Sequence, residues 1–292
     1  MAAQLIDGRE LAKRLRETVG RRVAVLRAKG RPVRLDAVLV DHDGTASARL
    51  YAHNQAKMCD RLGIEYRLHE LPASAKFDDV AGRVLLLNND HDAHAVMVHL
   101  PLPDAVDTYR VQSLIAPEKD VEGVNPANIG NIVYGRVSLA PCTASAVIKL
   151  IDSTGVDVRG KFCVCVGASD IVGKPAAVML MRREATVVSC NKYTSGITEL
   201  TRQADVLISA AGVAGLVKPD WVKPGSVVID VGINQITGAD GQERTVGDVD
   251  FEGVSGVAGW ITPVPGGVGP VTVAVLLENV VDAAERARLL PR

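Results

Sequence analysis

The sequence predicts an α/β protein with two domains, and three observations support this prediction. Segments with the apolar pattern of strands alternate with segments of helical period, as in parallel sheets joined by right-handed crossovers. The 292 residues suffice for two ordinary domains. Hydrophobic residues make up 47% of the chain and aromatic residues only 3%, so the cores must be mainly aliphatic, as suits a parallel sheet.

The first half of the chain opens with a helix. Asp7 and Glu10 form a D-x-x-E start, and apolar residues recur on one helical face until Gly30. Ser47 is the expected N-cap of a second helix, which ends at Gly63. The remaining elements are a third helix from about Asp78 and the strands LDAVLV, EYRLHEL and AVMVHL.

The second half resumes the alternation after a long connection. The stretch from Pro117 to Pro141 is rich in Gly, Pro and Asn and has no strong period, so it is expected to be a connector that reaches a functional cleft. A helix starts at Thr143, and the chain closes with a helix from about Val271 to Leu289. Between them lie the strands KFCVCVG, ATVVSC, DVLISAA and SVVIDVG and the run ITPVPGGVGP. The expected domains are 1–140, completed by a C-terminal helix at 270–292, and 141–269.

Composition argues against several classes of partner. The formal net charge is −1 without long runs of one sign, which disfavours nucleic acid and anionic membrane surfaces. The N-terminal residues lack a signal-peptide core, and no apolar run is long enough to span a bilayer. Five cysteines form no even framework, so reduced thiols in a cytoplasmic protein are expected. The cluster from Asp90 to His94 is interpreted as a solvated connection, and no metal site is predicted.

A glycine-bounded turn carries the first functional signal. VCVGASDIVGKP places Gly167 at the end of an apolar strand and Gly173 just before a helix whose first turn holds Pro175. Small residues let the backbone approach a phosphate, and free N–H groups at the helix start meet its charge. The spacing is G-x-S-x-x-x-G rather than G-x-G-x-x-G, so an ordinary βα turn remains an alternative. The surrounding βαβ pattern favours a nicotinamide dinucleotide site.

The next strand end bears on the choice between NADP and NAD. An acidic residue about 20 residues after the glycine turn would bind the ribose of NAD. The strand ends instead in SCNK, with Lys192 in that region. A cation there suits the extra phosphate of NADP, although Lys192 as a solvated loop residue is the alternative. NADP is therefore favoured and NAD remains possible.

Seven segments carry a second functional signal: HLPLP (99–103), KDVEGVNP (119–126), PCT (141–143), VGASDIVGKP (166–175), DVGIN (230–234), VGDV (246–249) and TPVPGGVGP (262–270). Together they resemble one family, the bifunctional methylenetetrahydrofolate dehydrogenase/cyclohydrolases of one-carbon metabolism. They occur in the family's order and cover nearly the whole chain.

The resemblance implies two α/β domains with a cleft between them, a folate-side domain and a Rossmann-like domain that binds NADP. It also implies a homodimer, a reduced folate as substrate, and oxidation of methylene-tetrahydrofolate followed by hydrolysis of the methenyl product. The implied cofactor-binding residues are Gly167, Ala168, Ser169, Ile171, Val172, Gly173, Lys192, Ala211, Gly212, Ile233 and Thr272. The implied substrate-binding residues are Tyr51, Leu100, Pro101, Glu122, Pro263, Gly266 and Gly267.

Three departures from the family pattern fall on the folate side. The family has a Tyr followed four residues later by a Lys; here Tyr51 is followed by Gln55, and Lys57 lies about half a helical turn away. His99 stands where the family has Gln in Q-L-P-L-P, and Glu122 stands where it has the second Asp of K-D-x-D-G. The candidate catalytic residues are thus Tyr51, Gln55, His99 and Glu122.

The departures affect the two reactions of the family differently. Hydride loss from a methylene between two nitrogens needs no proton transfer, so placement of folate and nicotinamide supplies much of the rate. Hydrolysis needs a positioned titratable group, which Gln55 is not. His99 either takes that role or is only a hydrogen-bonded residue of the cleft. We therefore expect dehydrogenase activity with weak or absent cyclohydrolase activity.

Two other interpretations stay open at this point. One is a family member redirected to another removal or transfer of a one-carbon group carried by tetrahydrofolate. The other is a non-catalytic paralogue that binds folate or partners with an active protein. The intact nucleotide turn disfavours the second.

Overall fold

The computed structural model describes residues 2–42, 44–136, 139–238 and 241–287. The chain forms two compact units. Unit 1 consists of Met1–Arg14 and Pro141–Val275, and unit 2 consists of Leu15–Ala140 and Leu276–Arg292. Compared with the domains expected from the sequence, the first fourteen residues and the start of the last helix belong with unit 1.

The helices and strands are numbered in chain order. The helices are α1 Gly8–Ala28, α2 Ala46–Leu62, α3 Phe77–Asn89, α4 Thr108–Leu114, α5 Pro126–Tyr134, α6 Cys142–Ser153, α7 Gly173–Met181, α8 Ile197–Thr201, α9 Phe251–Ser255 and α10 Val268–Arg286. The strands are β1 Gln4–Leu5, β2 Arg34–Val40, β3 Glu65–Leu71, β4 Ala95–Val98, β5 Phe162–Val166, β6 Thr186–Cys190, β7 Val206–Ser209, β8 Val227–Asp230, β9 Asn234–Thr237, β10 Glu243–Val246 and β11 Trp260–Ile261.

Unit 1 is built on a six-stranded parallel sheet in the order β1-β11-β8-β7-β5-β6. Its central strands are continuous apolar runs because helices cover both faces of such a sheet. Successive strands β5 and β6 are neighbours, and β7 lies on the other side of β5. This reversal of strand order is the switch point at which open α/β sheets bind ligands. The predicted α/β class with a Rossmann-like parallel sheet is confirmed.

The sheet of unit 1 also explains why the N-terminal residues do not belong to the first domain predicted from the sequence. β1 pairs in parallel with β11, with Gln4 opposite Trp260 and Leu5 opposite Ile261. The backbone amide of Ile6 extends the pairing by donating to the carbonyl of Ile261 at 2.8 Å. A two-residue strand has too little pattern to be recognised in the sequence.

Unit 2 contains a three-stranded parallel sheet in the order β3-β2-β4. One face packs on α3 and α4 through an aliphatic core that includes Val38, Val84, Val98 and Val111. Because side chains alternate along a strand, Tyr66 shares the opposite face with its partner Leu35. The folate-side residues are built at the carboxyl ends of these strands and on α2.

Two expectations about helix positions are wrong. Ser47 does not cap α2, because the turn in which the amide of Thr45 donates to the carbonyl of His42 starts the helix earlier, at Ala46. The stretch from Pro117 to Pro141 is not all irregular, since it contains α5. Asn125 caps α5 by accepting from the amide of Ala127 at 2.8 Å. The glycines and asparagines of the stretch made this helix difficult to predict from the sequence.

The five cysteines are all buried, and none of them forms a disulfide bond. Burial raises the pKa of the Cys59 and Cys163 thiols to about 12, so these thiols are protonated at neutral pH. Within the described ranges, no helix has the length and apolar character needed to cross a membrane. No group of three or more His, Cys, Asp or Glu residues in that portion of the chain is arranged to hold a metal ion.

Candidate active site

The glycine turn of unit 1 is built so tightly that its two boundary positions admit no side chain. Gly167 has φ of +108°, and a Cβ there would lie 2.1 Å from the carbonyl oxygen of Ala210. A Cβ on Gly173 would lie 1.9 Å from the carbonyl oxygen of Gly167. The end of β5, the loop after β7 and the start of α7 therefore approach each other through bare backbone. This close approach is what a pyrophosphate needs from the protein.

The start of α7 is held by the turn itself. The amide of Gly173 donates to the Ser169 hydroxyl at 3.3 Å, and the amide of Lys174 donates to the Ser169 carbonyl at 3.0 Å. The side chains of Lys174 and Asp170 form an exposed ion pair. Ile171, another predicted cofactor residue, is half exposed beside them. The turn therefore presents its outer surface to solvent while its backbone is fixed.

A buried carboxylate, Asp248, fixes the loop after β7. Its Oδ2 accepts from the Ser209 hydroxyl at 3.1 Å and from the amides of Ala211 and Gly212 at 2.7 and 3.1 Å. Its Oδ1 accepts from the amide of Val213 at 2.9 Å and from Nδ2 of Asn234 at 3.0 Å. Asp248 thus joins two predicted cofactor residues, Ala211 and Gly212, to the start of β9.

Asp230, at the end of the neighbouring strand β8, plays a similar role. Its carboxylate accepts from the amides of Gly232, Asp248 and Val249 at 2.9 to 3.0 Å. Burial raises the pKa of Asp230 to about 6 despite these donors. A Cβ on Gly232 would lie 2.1 Å from Oδ1 of Asp248, and one on Gly247 would lie 1.8 Å from Oδ2 of Asp230. The glycines of DVGIN and VGDV make room for the two carboxylates.

Lys192 lies in the loop after β6, at the carboxyl edge of the same sheet. Its ammonium lies 5.0 Å from the centre of the Tyr193 ring. Its charge has no carboxylate partner among the described residues. An exposed, unpaired cation at this strand end has the chemistry to bind a ribose phosphate.

The proline-glycine loop before α10 lines a cavity of about 180 Å³ in unit 1. Its walls include the predicted substrate residues Pro263, Gly266 and Gly267 and the predicted cofactor residue Ile233. Arg9 lies at the same cavity, and a Cβ on Gly266 would lie 3.2 Å from Nε of Arg9. The hydroxyl of Thr272, in the first turns of α10, donates to the Val268 carbonyl at 3.2 Å and does not line this cavity.

The folate-side residues lie in unit 2. Tyr51 and Gln55 are one turn apart on α2, with Cys59 one turn further on the same face. Tyr51 is 40% exposed, whereas Gln55 is only 3% exposed. Neither polar atom of the Gln55 amide finds a hydrogen-bond partner among the described residues. Lys57 is exposed, so the register of the helix turns it away from this face.

His99, at the end of β4, contacts two tyrosines. Its Nε2 lies 3.0 Å from the hydroxyl oxygen of Tyr66, and its ring meets that of Tyr51 edge to face with centres 5.9 Å apart. Burial lowers the pKa of His99 to about 4, so the imidazole is neutral at pH 7. The same burial raises the pKa of the Tyr66 phenol. Uncharged polar groups therefore occupy this region of the site.

Glu122 follows a segment that runs beside β4. Val96 and Asp120 form a parallel bridge. Two residues further along both segments, Glu122 therefore lies beside Val98. Burial, together with the nearby Asp120, raises the pKa of Glu122 to about 7. Asp120 itself is buried and accepts from the amide of Asn125 at 2.7 Å and from Nδ2 of Asn128 at 2.8 Å. Among the four candidate catalytic residues, Glu122 is accordingly the one whose pKa lies near neutral pH.

The loop after His99 completes the folate-side set. Leu100 is half exposed, and the Leu100–Pro101 peptide bond is cis. The imidazole of His42 donates from Nε2 to the Pro101 carbonyl at 3.1 Å, which ties the polar loop before α2 to this segment.

The structure divides the predicted site residues between the units. Tyr51, Gln55, His99 and Glu122 lie in unit 2 with Leu100 and Pro101, whereas Pro263, Gly266 and Gly267 lie in unit 1 with the cofactor residues.

Two contributors to the site were not predicted from the sequence. Tyr66 carried no motif, and Asp248 was noted within VGDV without a role, although a short acidic motif after a strand could have signalled it.

The similarity to known proteins covers nearly the whole chain. The family profile described as tetrahydrofolate dehydrogenase/cyclohydrolase, catalytic domain, matches residues 6–122, and the profile for the NAD(P)-binding domain of the same family matches residues 141–288. The bifunctional protein FolD of Moorella thermoacetica is 44% identical over 286 residues, which are 98% of this chain and 100% of that protein.

Solved structures give the same picture. The bifunctional FolD methylenetetrahydrofolate dehydrogenase/cyclohydrolase of Campylobacter jejuni superposes with a TM-score of 0.92 at 38% identity, covering 98% of this chain and 99% of that one. The FolD enzyme of Trypanosoma brucei, complexed with NADP cofactor and an inhibitor, has a TM-score of 0.91 at 37% identity and covers 99% of this chain and 100% of that one.

Proposed function

Because the chain belongs to the tetrahydrofolate dehydrogenase/cyclohydrolase family, we propose that it oxidises methylene-tetrahydrofolate with NADP and hydrolyses the methenyl product weakly or not at all. One observation carries this proposal. The nucleotide turn of unit 1 keeps its close backbone approach, while the buried face of α2 in unit 2 carries the neutral Gln55.

The dehydrogenase half follows from what unit 1 can hold. Gly167 and Gly173 allow a close approach of backbone to a phosphate, and Asp248 fixes the loop of Ala211 and Gly212. NADP, when bound there, would supply a hydride acceptor. Tyr51 and Glu122 would bind and orient the folate, so that the methylene carbon loses hydride without a proton transfer by the protein.

The hydrolase half follows from the protonation states in unit 2. Deprotonating a water and protonating a leaving amine require a group that titrates near neutral pH. Gln55 does not titrate, and His99, with its pKa lowered to about 4, is a weak base at pH 7. Glu122, with its pKa raised to about 7, is the remaining candidate, so any residual hydrolysis should follow its ionisation.

We also propose how the two functions are distributed along the chain. Apart from residues 1–14 and the start of α10, which belong to unit 1, residues 1–140 with 270–292 would form the folate-side domain and 141–269 the nucleotide domain. The two family profiles support a boundary between residues 122 and 141. We propose a homodimer in the cytoplasm, on the basis of the family resemblance and the five buried cysteines, which form no disulfide bond. Light scattering during gel filtration tests the dimer, and a monomer at micromolar concentration would contradict it.

The test of function is a coupled assay on the purified protein. Methylene-tetrahydrofolate is incubated with NADP or NAD, and reduced nicotinamide and methenyl-tetrahydrofolate are followed together. We expect both to rise, with the methenyl product persisting. Rapid loss of the methenyl product beyond its uncatalysed rate would refute the hydrolase half.

A second outcome would refute the dehydrogenase half. If neither product rises although tetrahydrofolate binds measurably, the chain performs redirected one-carbon chemistry or serves only as a binding protein. The full-length match to bifunctional relatives favours neither of these alternatives.

A further inference from the structure

Among the described residues, one direct side-chain hydrogen bond joins β3 to the end of β4 across β2. Tyr66 and His99 form this bond. The two residues are 33 positions apart in the chain. His99 is 3% exposed, and Tyr66 is partly buried. Buried polar groups need partners, and this contact satisfies one nitrogen of the imidazole.

The direction of the hydrogen bond follows from the surroundings of the two groups. A neutral imidazole has one N–H and one acceptor nitrogen, whereas a phenol can donate or accept. No other acceptor for the Tyr66 hydroxyl lies within hydrogen-bond distance in the described ranges of the chain. A phenol O–H is more acidic than the N–H of a neutral imidazole, and the unprotonated imidazole nitrogen is a better acceptor than the phenol oxygen, so the stronger hydrogen bond is the one that the phenol donates. Tyr66 is therefore the donor and Nε2 the acceptor.

We propose that Tyr66 is a positioning residue of the folate-side site, which fixes the orientation of His99 and holds its imidazole in the tautomer protonated on Nδ1. The edge-to-face contact with Tyr51 also restricts the orientation of the His99 imidazole. With Nε2 occupied, His99 presents an N–H donor at Nδ1 and no free base. It can hydrogen-bond to an acceptor on a bound molecule, but it does not remove a proton from water.

A spectroscopic experiment tests the tautomer without any assay of activity. Protein labelled with ¹⁵N in histidine is compared with the Tyr66→Phe variant at neutral pH, and the His99 signal is assigned by its absence from His99→Gln. We expect an unprotonated Nε2 in the wild type and a clear rise of the Nε2–H population in Tyr66→Phe, since the bond made by one ring nitrogen sets the tautomer. A protonated Nε2 in the wild type, or an identical spectrum in Tyr66→Phe, would overturn the proposal.

A binding experiment, which rests on the proposed function, tests the consequence for the site. Tetrahydrofolate titrated anaerobically should bind Tyr66→Phe about three- to tenfold more weakly, as expected for one hydrogen bond, with the KM for NADP unchanged. Tyr109→Phe removes the hydroxyl of a tyrosine in unit 2 that is 67% exposed and serves as the matched control. Equal tetrahydrofolate affinity in wild type and Tyr66→Phe would contradict the positioning role.

The two experiments separate the failure of this inference from the failure of the proposed function. A wild type that does not reduce NADP, combined with a changed tautomer in Tyr66→Phe, refutes the function and leaves the positioning role intact. An active wild type whose His99 spectrum is the same in Tyr66→Phe refutes the positioning role and leaves the function intact.

Discussion

Gln55 and His99 lie on the same side of unit 2, but their burial is compensated differently. His99 has a partner in Tyr66, whereas the Gln55 amide has none among the described residues. An unpartnered buried amide costs on the order of 1–3 kcal/mol, and such groups are few in native structures. At the scale of the residue, we therefore propose that the Gln55 amide recognises a bound molecule; it cannot act as an acid or base.

Lys192 gives a prediction about the choice of nucleotide. Lys192→Ala should raise the KM for NADP about tenfold or more and leave the KM for NAD nearly unchanged, because only the 2′-phosphate loses a charged partner. Steady-state kinetics with both nucleotides measure this. Lys161→Ala, another exposed lysine of unit 1, is the matched control. Equal changes with NADP and NAD would assign Lys192 a different role.

Glu122 gives a prediction about pH. Its folded-state pKa of about 7 lies above the value of about 4.3 for an unfolded glutamate, so its contribution to stability is present below about pH 4.3 and is lost as the pH rises through 7. Glu122→Gln should therefore be more stable than the wild type at pH 8, on the order of 2 kcal/mol, and nearly equal at low pH. Urea unfolding at several pH values measures the difference. Glu118→Gln, an exposed neighbour, should show no such trend, and a constant Glu122→Gln difference across pH would contradict the assignment.

The residue scale also shows the limit of prediction from the sequence at this site. Gln55, His99 and Glu122 were singled out because each replaces a residue within a recognisable motif. Tyr66 has no motif, and its role arises because β3, β2 and β4 are neighbours in one sheet. Strand order depends on contacts between distant residues, which the sequence pattern of a single strand does not contain.

Helix α2 shows what periodicity can and cannot establish at the scale of the element. The four-residue spacing of Tyr51, Gln55 and Cys59 predicted a common face, and the helix has that register. The same sequence did not reveal the start of the helix, since the turn between His42 and Thr45 decides it. Helix ends depend on such local hydrogen bonds, and several polar residues near the start compete for them.

Asp248 joins the loop after β7 to the start of β9. Asp248→Asn replaces one carboxylate oxygen by an N–H donor. Because this N–H group then faces amide or hydroxyl donors, the side chain loses at least two of its five hydrogen bonds. We expect the KM for NADP to rise about tenfold or more and the protein to lose about 2–4 kcal/mol of stability, as for a broken buried network. Nucleotide titration and urea unfolding measure the two effects.

Asp205→Asn provides the comparison for this prediction. Asp205 lies at the opposite end of the same sheet, where it accepts from the amide of Phe162 at 2.9 Å and pairs with Lys223 at 2.6 Å. Its substitution should lower stability without changing the affinity for NADP. Equal effects of Asp205→Asn and Asp248→Asn on NADP affinity would show that Asp248 acts only through general stability.

At the scale of the whole molecule, the two reactions of the family make unequal demands on the chain. Hydride transfer requires the nucleotide residues of unit 1 and the folate-side residues of unit 2. Hydrolysis of the methenyl product requires a titratable group on the folate side alone. A chain can therefore lose the second activity through unit 2 while unit 1 keeps its nucleotide site unchanged.

Gln55→Lys tests this separation. At a position that is 3% exposed, a lysine would have its pKa lowered by burial, so that a fraction of it is an unprotonated base near neutral pH, one turn from Tyr51. We expect cyclohydrolase activity to appear, about tenfold or more above the wild type and within the range of general base catalysis, with the KM for NADP unchanged. Asn54→Lys, on the exposed face of the same helix, should not change hydrolysis. If Gln55→Lys folds and binds tetrahydrofolate but still does not hydrolyse the methenyl product, then His99 and Glu122 also block the reaction, and the loss belongs to the folate side as a whole rather than to one residue.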